Sequence, residues 1–276
     1  MWAILNGTIV NVFAVLIGSS SGMVLGARLP DRYQRIILDV LGLVTITLGI
    51  DAAVIKFSET VSEFQPDGLA GPTFGARLAM VMVGSLVIGA IAGTALRLHE
   101  RLEGLGKAIH RKLGRAGQGR SSAIAPGAQM DGGRFAEGFL TASVIFCVGP
   151  LTLLGCLSNG TPPHDPSLLY IKSCLDLFCS AALASTLGLG VVFSVLTILV
   201  FQGGLTLAAG AVAGSIPDLS RNMMIVVGGV VLLATALTLL DIRKIPVANM
   251  LPAIFLPPIV IWLVDSIAAG TLMPAG

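Results

Sequence analysis

Residues 149–155 read GPLTLLG and residues 172–176 read KSCLD, and a polar turn around His164 separates the two stretches. Both stretches lie inside apolar segments that are long enough to cross a membrane, which takes about 20 helical residues. Charge and broken backbone are what a lipid bilayer tolerates least. The pattern therefore predicts a membrane hairpin that holds the functional centre of the chain.

The composition indicates that a bilayer surrounds most of the chain. Of the 276 residues, 54% are hydrophobic and 12% are charged, whereas soluble domains have about 25% charged residues. Gly18, Gly22 and Gly26 recur every four residues and predict a flat face for close helix contact. The four cysteines lack metal-ligand spacing, which favours small buried side chains. The first residues, MWAILN, carry no basic region, so we expect no cleavable signal peptide.

Apolar runs separated by polar connections predict an all-α, polytopic integral membrane helix bundle with about eight transmembrane helices. The predicted helices cover, approximately, residues 8–27, 36–55, 78–96, 135–157, 168–188, 189–213, 223–240 and 247–267. Gly188 is a weak separator between the fifth and sixth helices. We expect one membrane domain, with helices one to three in 1–96, a cytoplasmic region in 97–134 and helices four to eight in 135–276.

Lysine and arginine concentrate in three connections, at residues 28–35, 97–134 and 243–244. Positively charged short loops stay in the cytoplasm. In an eight-helix topology these three connections share one side, so we expect them in the cytoplasm and both termini outside.

The cytoplasmic region divides into two parts. Within 97–113, leucine and isoleucine recur every three or four residues opposite a basic face, which predicts an amphipathic helix that binds anionic lipid headgroups. A nucleic-acid partner is disfavoured, because basic amphipathic helices beside membrane spans usually face lipid. Residues 114–133 are rich in Gly, Ser and Ala and are typical of a flexible linker. The sequence leaves the oligomeric state open, a homo-oligomer included.

The chain also contains a weak internal repeat. Pro30, Asp31 and Gly42 correspond to residues 217, 218 and 229 at one fixed offset. In the predicted topology Pro30 is cytoplasmic and Pro217 external, so the two copies would be inverted, as in many secondary transporters. Chance similarity between apolar segments is the other explanation.

Lys172 and Asp176 are the strongest candidates for a functional site. Residues four apart share one helix face, and Asp176 lies about 12 Å into its segment, close to the bilayer midplane. A charge at the membrane centre costs about 2.5–3.5 kcal/mol on insertion scales, so each needs a partner or water. One interpretation is a substrate or ion site, with Asp176 as cation ligand or proton carrier. The other is a structural pair that fixes helix packing, with Lys172 reaching toward the interface.

Helix breaks and polar side chains on other segments supply further candidates. Pro150 removes a backbone donor in mid-segment, which either exposes carbonyls to a cavity or makes a packing kink. Asn249 precedes Pro252 and could bind the backbone that this proline frees. The predicted substrate- or ion-binding residues are Asp176, Lys172, Ser173, Gly149, Pro150, Thr152, Asn11, Asn249, Pro252 and Gln202.

No motif indicates an enzyme. The sequence has no nucleotide-binding loop, no HExxH, no GxSxG and no cluster of metal ligands. The three histidines lie in connections and show no ligand spacing. We therefore expect a protein that is not an enzyme, with no metal site and no cofactor.

Several motifs together resemble one family. They are Gly7-Thr8-Ile9-Val10-Asn11, Gly149-Pro150, Lys172-Ser173 with Asp176, and Asn249-Met250-Leu251-Pro252-Ala253. With these motifs the sequence is similar to the uncharacterised bacterial inner-membrane proteins of the YqgA/YdfK type, grouped as a domain of unknown function. The resemblance implies a multi-pass protein of the bacterial inner membrane, at most a transporter, and supplies no substrate.

Two functional hypotheses follow. The first is a secondary transporter or channel-like carrier of a small solute or ion, with its site near the midplane between segments one, four, five and eight. The second is a non-transporting membrane scaffold or sensor that uses its basic cytoplasmic helix to bind lipid or a partner.

Overall fold

The structure, a computed structural model, describes residues 2–25, 31–66, 71–101, 132–147 and 149–267. Within these ranges the regular structure is entirely helical, which confirms the predicted all-α fold. The principal α-helices are α1 (Trp2–Leu25), α2 (Asp31–Ile50), α3 (Lys56–Phe64), α4 (Gly71–Ala95), α5 (Gly132–Cys147), α6 (Pro150–Gly160), α7 (Ser167–Leu187), α8 (Leu189–Val212), α9 (Asp218–Leu239) and α10 (Pro257–Ile267). A π-helical turn, Asp51–Ile55, joins α2 to α3, and a 3₁₀ helix, Val247–Phe255, precedes α10.

The described helices include six that are long and apolar enough to cross a membrane. Two further pairs pass the same test together but are bent, α5 with α6 by 56° and the 3₁₀ helix with α10 by 48°. The number of spans rises to eight if each bent pair crosses once. Each predicted segment coincides with one of these helices or pairs. Most of the predicted amphipathic helix, residues 102–113, and nearly all of the linker lie outside the described residues.

Gly188 alone separates α7 from α8. Its φ of +69° lies in the left-handed region, which glycine enters without the steric strain that a Cβ would cause. The Gly188 N–H donates to Ala184 O at 2.9 Å and ends α7. The weak separator in the sequence is therefore a complete helix boundary.

Contacts group the chain into two compact units, one of residues 1–38 and 100–213 and the other of residues 39–99 and 214–276. In the first unit, α1 and α7 run parallel, because Gly18 faces the Leu177 carbonyl and Gly22 faces the Ala181 carbonyl. These approaches bring backbone against backbone, and a Cβ at either glycine would overlap the carbonyl oxygen. Gly18 and Gly22 of the predicted small-residue face thus contact α7, whereas Gly26 lies outside the described residues.

The bent pair α5/α6 follows α8 in one direction. Ser143 on α5 donates to Thr197 at 3.0 Å. Further along, the Cys156 thiol of α6 donates to the Gln202 carbonyl at 3.5 Å, and Gly160 faces Thr206. Because position along α5/α6 and position along α8 increase together, the pair keeps one direction relative to α8 and does not turn back along it.

In the second unit, α2 and α9 pack antiparallel. Gly42 lies against the Leu240 side chain, and Gly229 lies against the backbone of Ala53. The repeat offset, which takes Pro30 to Pro217, also takes Gly42 to Gly229 and Ala53 to Leu240. Any antiparallel pair of helices packed in one register exchanges its contacts in this way, so the inverted repeat stays a prediction.

The second bent pair follows α4, also within the second unit. Gly93 faces the Asn249 carbonyl, and Gly89 faces Ala253. Ile261 on α10 belongs to the same buried cluster as Leu78 on α4. The pair therefore runs antiparallel to α4 along its length.

Candidate functional site

The centre of the first unit holds a buried ion pair on α7. The Lys172 Nζ donates to Asp176 Oδ2, and the two residues are only 4% and 7% exposed. Asp176 is the tenth residue of the 21 in α7. At 1.5 Å per residue it lies about 14 Å from the helix start, close to half the thickness of a hydrocarbon core of about 30 Å.

A chain of uncharged polar side chains faces this pair from α1 and α8. Asn11 Nδ2 donates to Gln202 Oε1 at 2.8 Å, and Gln202 Nε2 donates to Thr8 Oγ1 at 3.4 Å. Asn11 and Gln202 are fully buried. The Asn11 side chain is also a hydrogen-bonding neighbour of the Asp176 carboxylate. The side-chain amides of Asn11 and Gln202, which are far apart in the sequence, thus extend the ion pair into a network across three helices.

Asn11 is only half satisfied within this network. Its Nδ2 is used, whereas its Oδ1 is buried and accepts no hydrogen bond from the described residues. A buried acceptor without a donor costs about 1–3 kcal/mol. The oxygen would therefore gain from a donor brought by a ligand, as would the buried Asn159 Oδ1 of the same unit.

The helix break lies beside the same pair. Gly149 is extended, with φ −115° and ψ 148°, and Pro150 opens α6 at a position where its missing N–H costs nothing. Thr152 Oγ1 donates to Phe146 O at 3.1 Å and so caps a carbonyl that the break leaves free. The Lys172 Nζ lies 6.0 Å from the centre of the ring of Phe146, three residues before Gly149.

Three cysteines surround the pair. Cys147 on α5, Cys156 on α6 and Cys179 on α7 lie close enough to interact electrostatically with Lys172. All three are free thiols. No group of three or more His, Cys, Asp and Glu side chains among the described residues could hold a metal ion.

The structure brings eight of the ten predicted site residues into one unit. Ser173 lies there but donates to Leu169 O at 2.6 Å, so its hydroxyl is committed to its own helix. Asn249 and Pro252 belong to the second unit. The Asn249 Oδ1 accepts a hydrogen bond from the His99 backbone N–H at 2.8 Å, so this oxygen binds a distant turn and not the backbone beside Pro252.

Two residues of the network were absent from the predicted set. Thr8 lies three residues before Asn11, on the same face of α1, and this spacing was the available signal. Phe146 is an aromatic residue immediately before the break, and nothing in its local sequence indicates that Lys172 lies beside it.

Comparison with known proteins places these features in a wider group. The profile of a family described as "Protein of unknown function (DUF554)" matches residues 6–262. The chain is 27% identical to "Uncharacterized membrane protein YdfK" of Bacillus subtilis (strain 168), over 94% of this chain and 97% of the relative. It is 29% identical to "Uncharacterized protein YqgA" of Escherichia coli (strain K12), over 91% and 93% respectively. No solved structure matches the chain. The first of these relatives is named as a membrane protein, and neither name gives an activity.

Proposed function

The chain belongs to the family of proteins of unknown function DUF554, as its motifs predicted, and from this premise we propose that it is a secondary transporter or channel-like carrier of a small solute or ion. The observation that carries the proposal is the ion pair Lys172–Asp176, buried halfway along α7. Ionisable residues at this depth are rare, and they mark substrate and ion pathways.

Energetics favour a functional pair over one kept for stability. Replacing a buried ion pair by apolar residues of similar volume is often neutral or stabilising by about 1–4 kcal/mol. Stability alone therefore does not explain why this pair is buried here. The neighbouring break adds support, because broken helices near the midplane are a common way to build transporter sites.

The location of the protein is part of the proposal. We place it as a multi-pass protein in the bacterial inner membrane, with its basic connections in the cytoplasm and both termini outside. The concentration of Lys and Arg at 28–35, 97–134 and 243–244 supports this orientation. Residues 97–113 would then lie on the anionic inner leaflet.

The test uses a double substitution that keeps the site free of uncompensated charge. Asp176→Asn alone leaves the Lys172 cation buried without its partner, which costs about 3–5 kcal/mol and confuses folding with function. Lys172→Met with Asp176→Leu removes both charges. We expect this double variant to fold with wild-type apparent Tm and to lose every ligand response.

The measurement is a thermal-shift screen of the purified full-length protein against alkali cations, inorganic anions and small metabolites, followed by uptake of each hit into proteoliposomes. A ligand that binds only the folded state raises the apparent Tm. Glu137→Gln is the matched control, since it changes an exposed carboxylate of the same unit to an amide. Wild-type uptake by the double variant would end the proposal.

The scaffold or sensor hypothesis predicts the opposite result for the double variant. Deletion of residues 97–133 would abolish its phenotype, and the double variant would retain it. In the proposed carrier, the deletion leaves ligand binding at Asp176 intact, because that site is built from α1, α5, α6, α7 and α8.

A further inference from the structure

Building on the proposed carrier function, we propose that the site around Lys172 and Asp176 binds a zwitterionic solute with an ammonium and a carboxylate group, the chemical class of the amino acids. Two observations carry this inference. The buried charges of the site sum to zero, and a buried amide oxygen beside them lacks a donor.

The charge balance counts the ionisable side chains of all the helices that pack around the pair. α1 and α8 contain no Asp, Glu, Lys, Arg or His. On α5, Arg134 and Glu137 lie 13 and 10 residues before Cys147. Beside the pair, α5, α6 and α7 add the thiols of Cys147, Cys156 and Cys179. The opposed charges of Lys172 and Asp176 are therefore the charges that a ligand meets.

A net-neutral pair selects its ligand by the cost of burying charge. A simple cation that bound Asp176 would displace Lys172 and leave this ammonium buried without a partner. A simple anion at Lys172 would leave the carboxylate in the same state, and either costs several kcal/mol. A zwitterion replaces both partners at once, because its ammonium binds Asp176 while its carboxylate binds Lys172.

The free acceptor indicates which end of the solute lies where. The hydrogen bond from Asn11 Nδ2 to Gln202 Oε1 fixes the orientation of the Asn11 amide, so that Oδ1 points away from Gln202. An ammonium group has three N–H donors, one for the Asp176 carboxylate and another for Asn11 Oδ1. The solute's ammonium would thus lie between α1 and α7.

The carboxylate end lies toward the helix break. The Lys172 Nζ is 6.0 Å from the Phe146 ring, and α6 begins four residues later at Pro150. The solute's carboxylate would therefore bind Lys172 on the side that faces Phe146.

The experiment compares three forms of each ligand on the full-length protein in detergent. The twenty protein amino acids are screened by thermal shift, and each hit is repeated as its N-acetyl derivative and as its amide. The first derivative lacks the ammonium and the second lacks the free carboxylate. We expect each derivative to bind about 100-fold more weakly than its parent, because it leaves one charge of the pair uncompensated.

A zwitterion without N–H groups tests the contact with Asn11. Glycine betaine keeps both charges but has no donor, so it should bind more weakly than glycine or any amino-acid hit. Asn11→Leu should lower the affinity for the amino-acid hit about tenfold, because one hydrogen bond to a charged group is lost. Glu137→Gln should leave this affinity unchanged. The apparent Tm without ligand shows that each variant is folded.

The results separate this inference from the carrier function on which it rests. A screen without an amino-acid hit, or derivatives that bind as tightly as their parents, would overturn the zwitterion. If an inorganic ion then raised the Tm of the wild type but not of Lys172→Met/Asp176→Leu, the carrier function would stand with another substrate. If no ligand distinguished the wild type from the double variant, both would fail.

Discussion

At the scale of single residues, the amides of Asn11 and Gln202 form the pair that joins α1 to α8. Their hydrogen bond is 2.8 Å long and links residues 191 apart in the chain. The local sequence marks both as polar residues in apolar segments, but it does not say that they are partners. Lys172 and Asp176 differ, because helical spacing alone places them on one face. A local pair is therefore predictable, and a long-range one is not.

A double-mutant cycle should reveal strong coupling between the two amides. Gln202→Leu removes the acceptor that the buried Asn11 Nδ2 binds, while Asn11 Oδ1 already lacks a donor, so we expect it to destabilise the protein by about 1–3 kcal/mol. Adding Asn11→Leu removes the polar atoms of Asn11 and should restore most of the lost stability. Unfolding in mixed detergent and SDS measures all four proteins. Additive effects would contradict the hydrogen bond.

At the scale of helices, glycine determines how closely the elements pack. The sequence predicts a small-residue face on α1 but cannot say which helix lies against it, since Gly18 and Gly22 would suit any partner. The structure assigns that face to α7. The 3₁₀ helix Val247–Phe255 was predicted only as a broken segment. Pro252 prevents one regular α-helical hydrogen bond, but the tighter winding over nine residues depends on packing against α4.

Two glycine substitutions should therefore have opposite effects. A Cβ at Gly18 would overlap the Leu177 carbonyl oxygen, whereas a Cβ at Gly204 on α8 meets nothing within 4 Å. Gly18→Ala should force α1 and α7 apart and destabilise the protein by about 1–3 kcal/mol. Gly204→Ala should stabilise it by about 0.5–1 kcal/mol, because alanine loses less backbone entropy in a helix. Equal apparent unfolding midpoints would contradict the α1–α7 contact.

At the scale of the whole molecule, the length of apolar segments predicts the spans, because the bilayer thickness fixes how many residues a crossing helix needs. Length does not decide whether a bent pair crosses or turns back. That distinction rests on the neighbours, α8 for the pair α5/α6 and α4 for the 3₁₀ helix with α10. Since each pair follows its neighbour in one direction, each should cross once and give eight spans.

Reporter fusions test this topology in the intact protein. Alkaline phosphatase needs disulfides that form in the periplasm and not in the cytoplasm, whereas green fluorescent protein is used as the cytoplasmic reporter. With eight spans, fusions at His164 and at the C-terminus should give active phosphatase. Fusions at 97–101 and at Arg243 should give fluorescence, in line with their positive charges. A fluorescent His164 fusion would mean that α5/α6 turns back, and a fluorescent C-terminal fusion would mean that an odd number of segments cross.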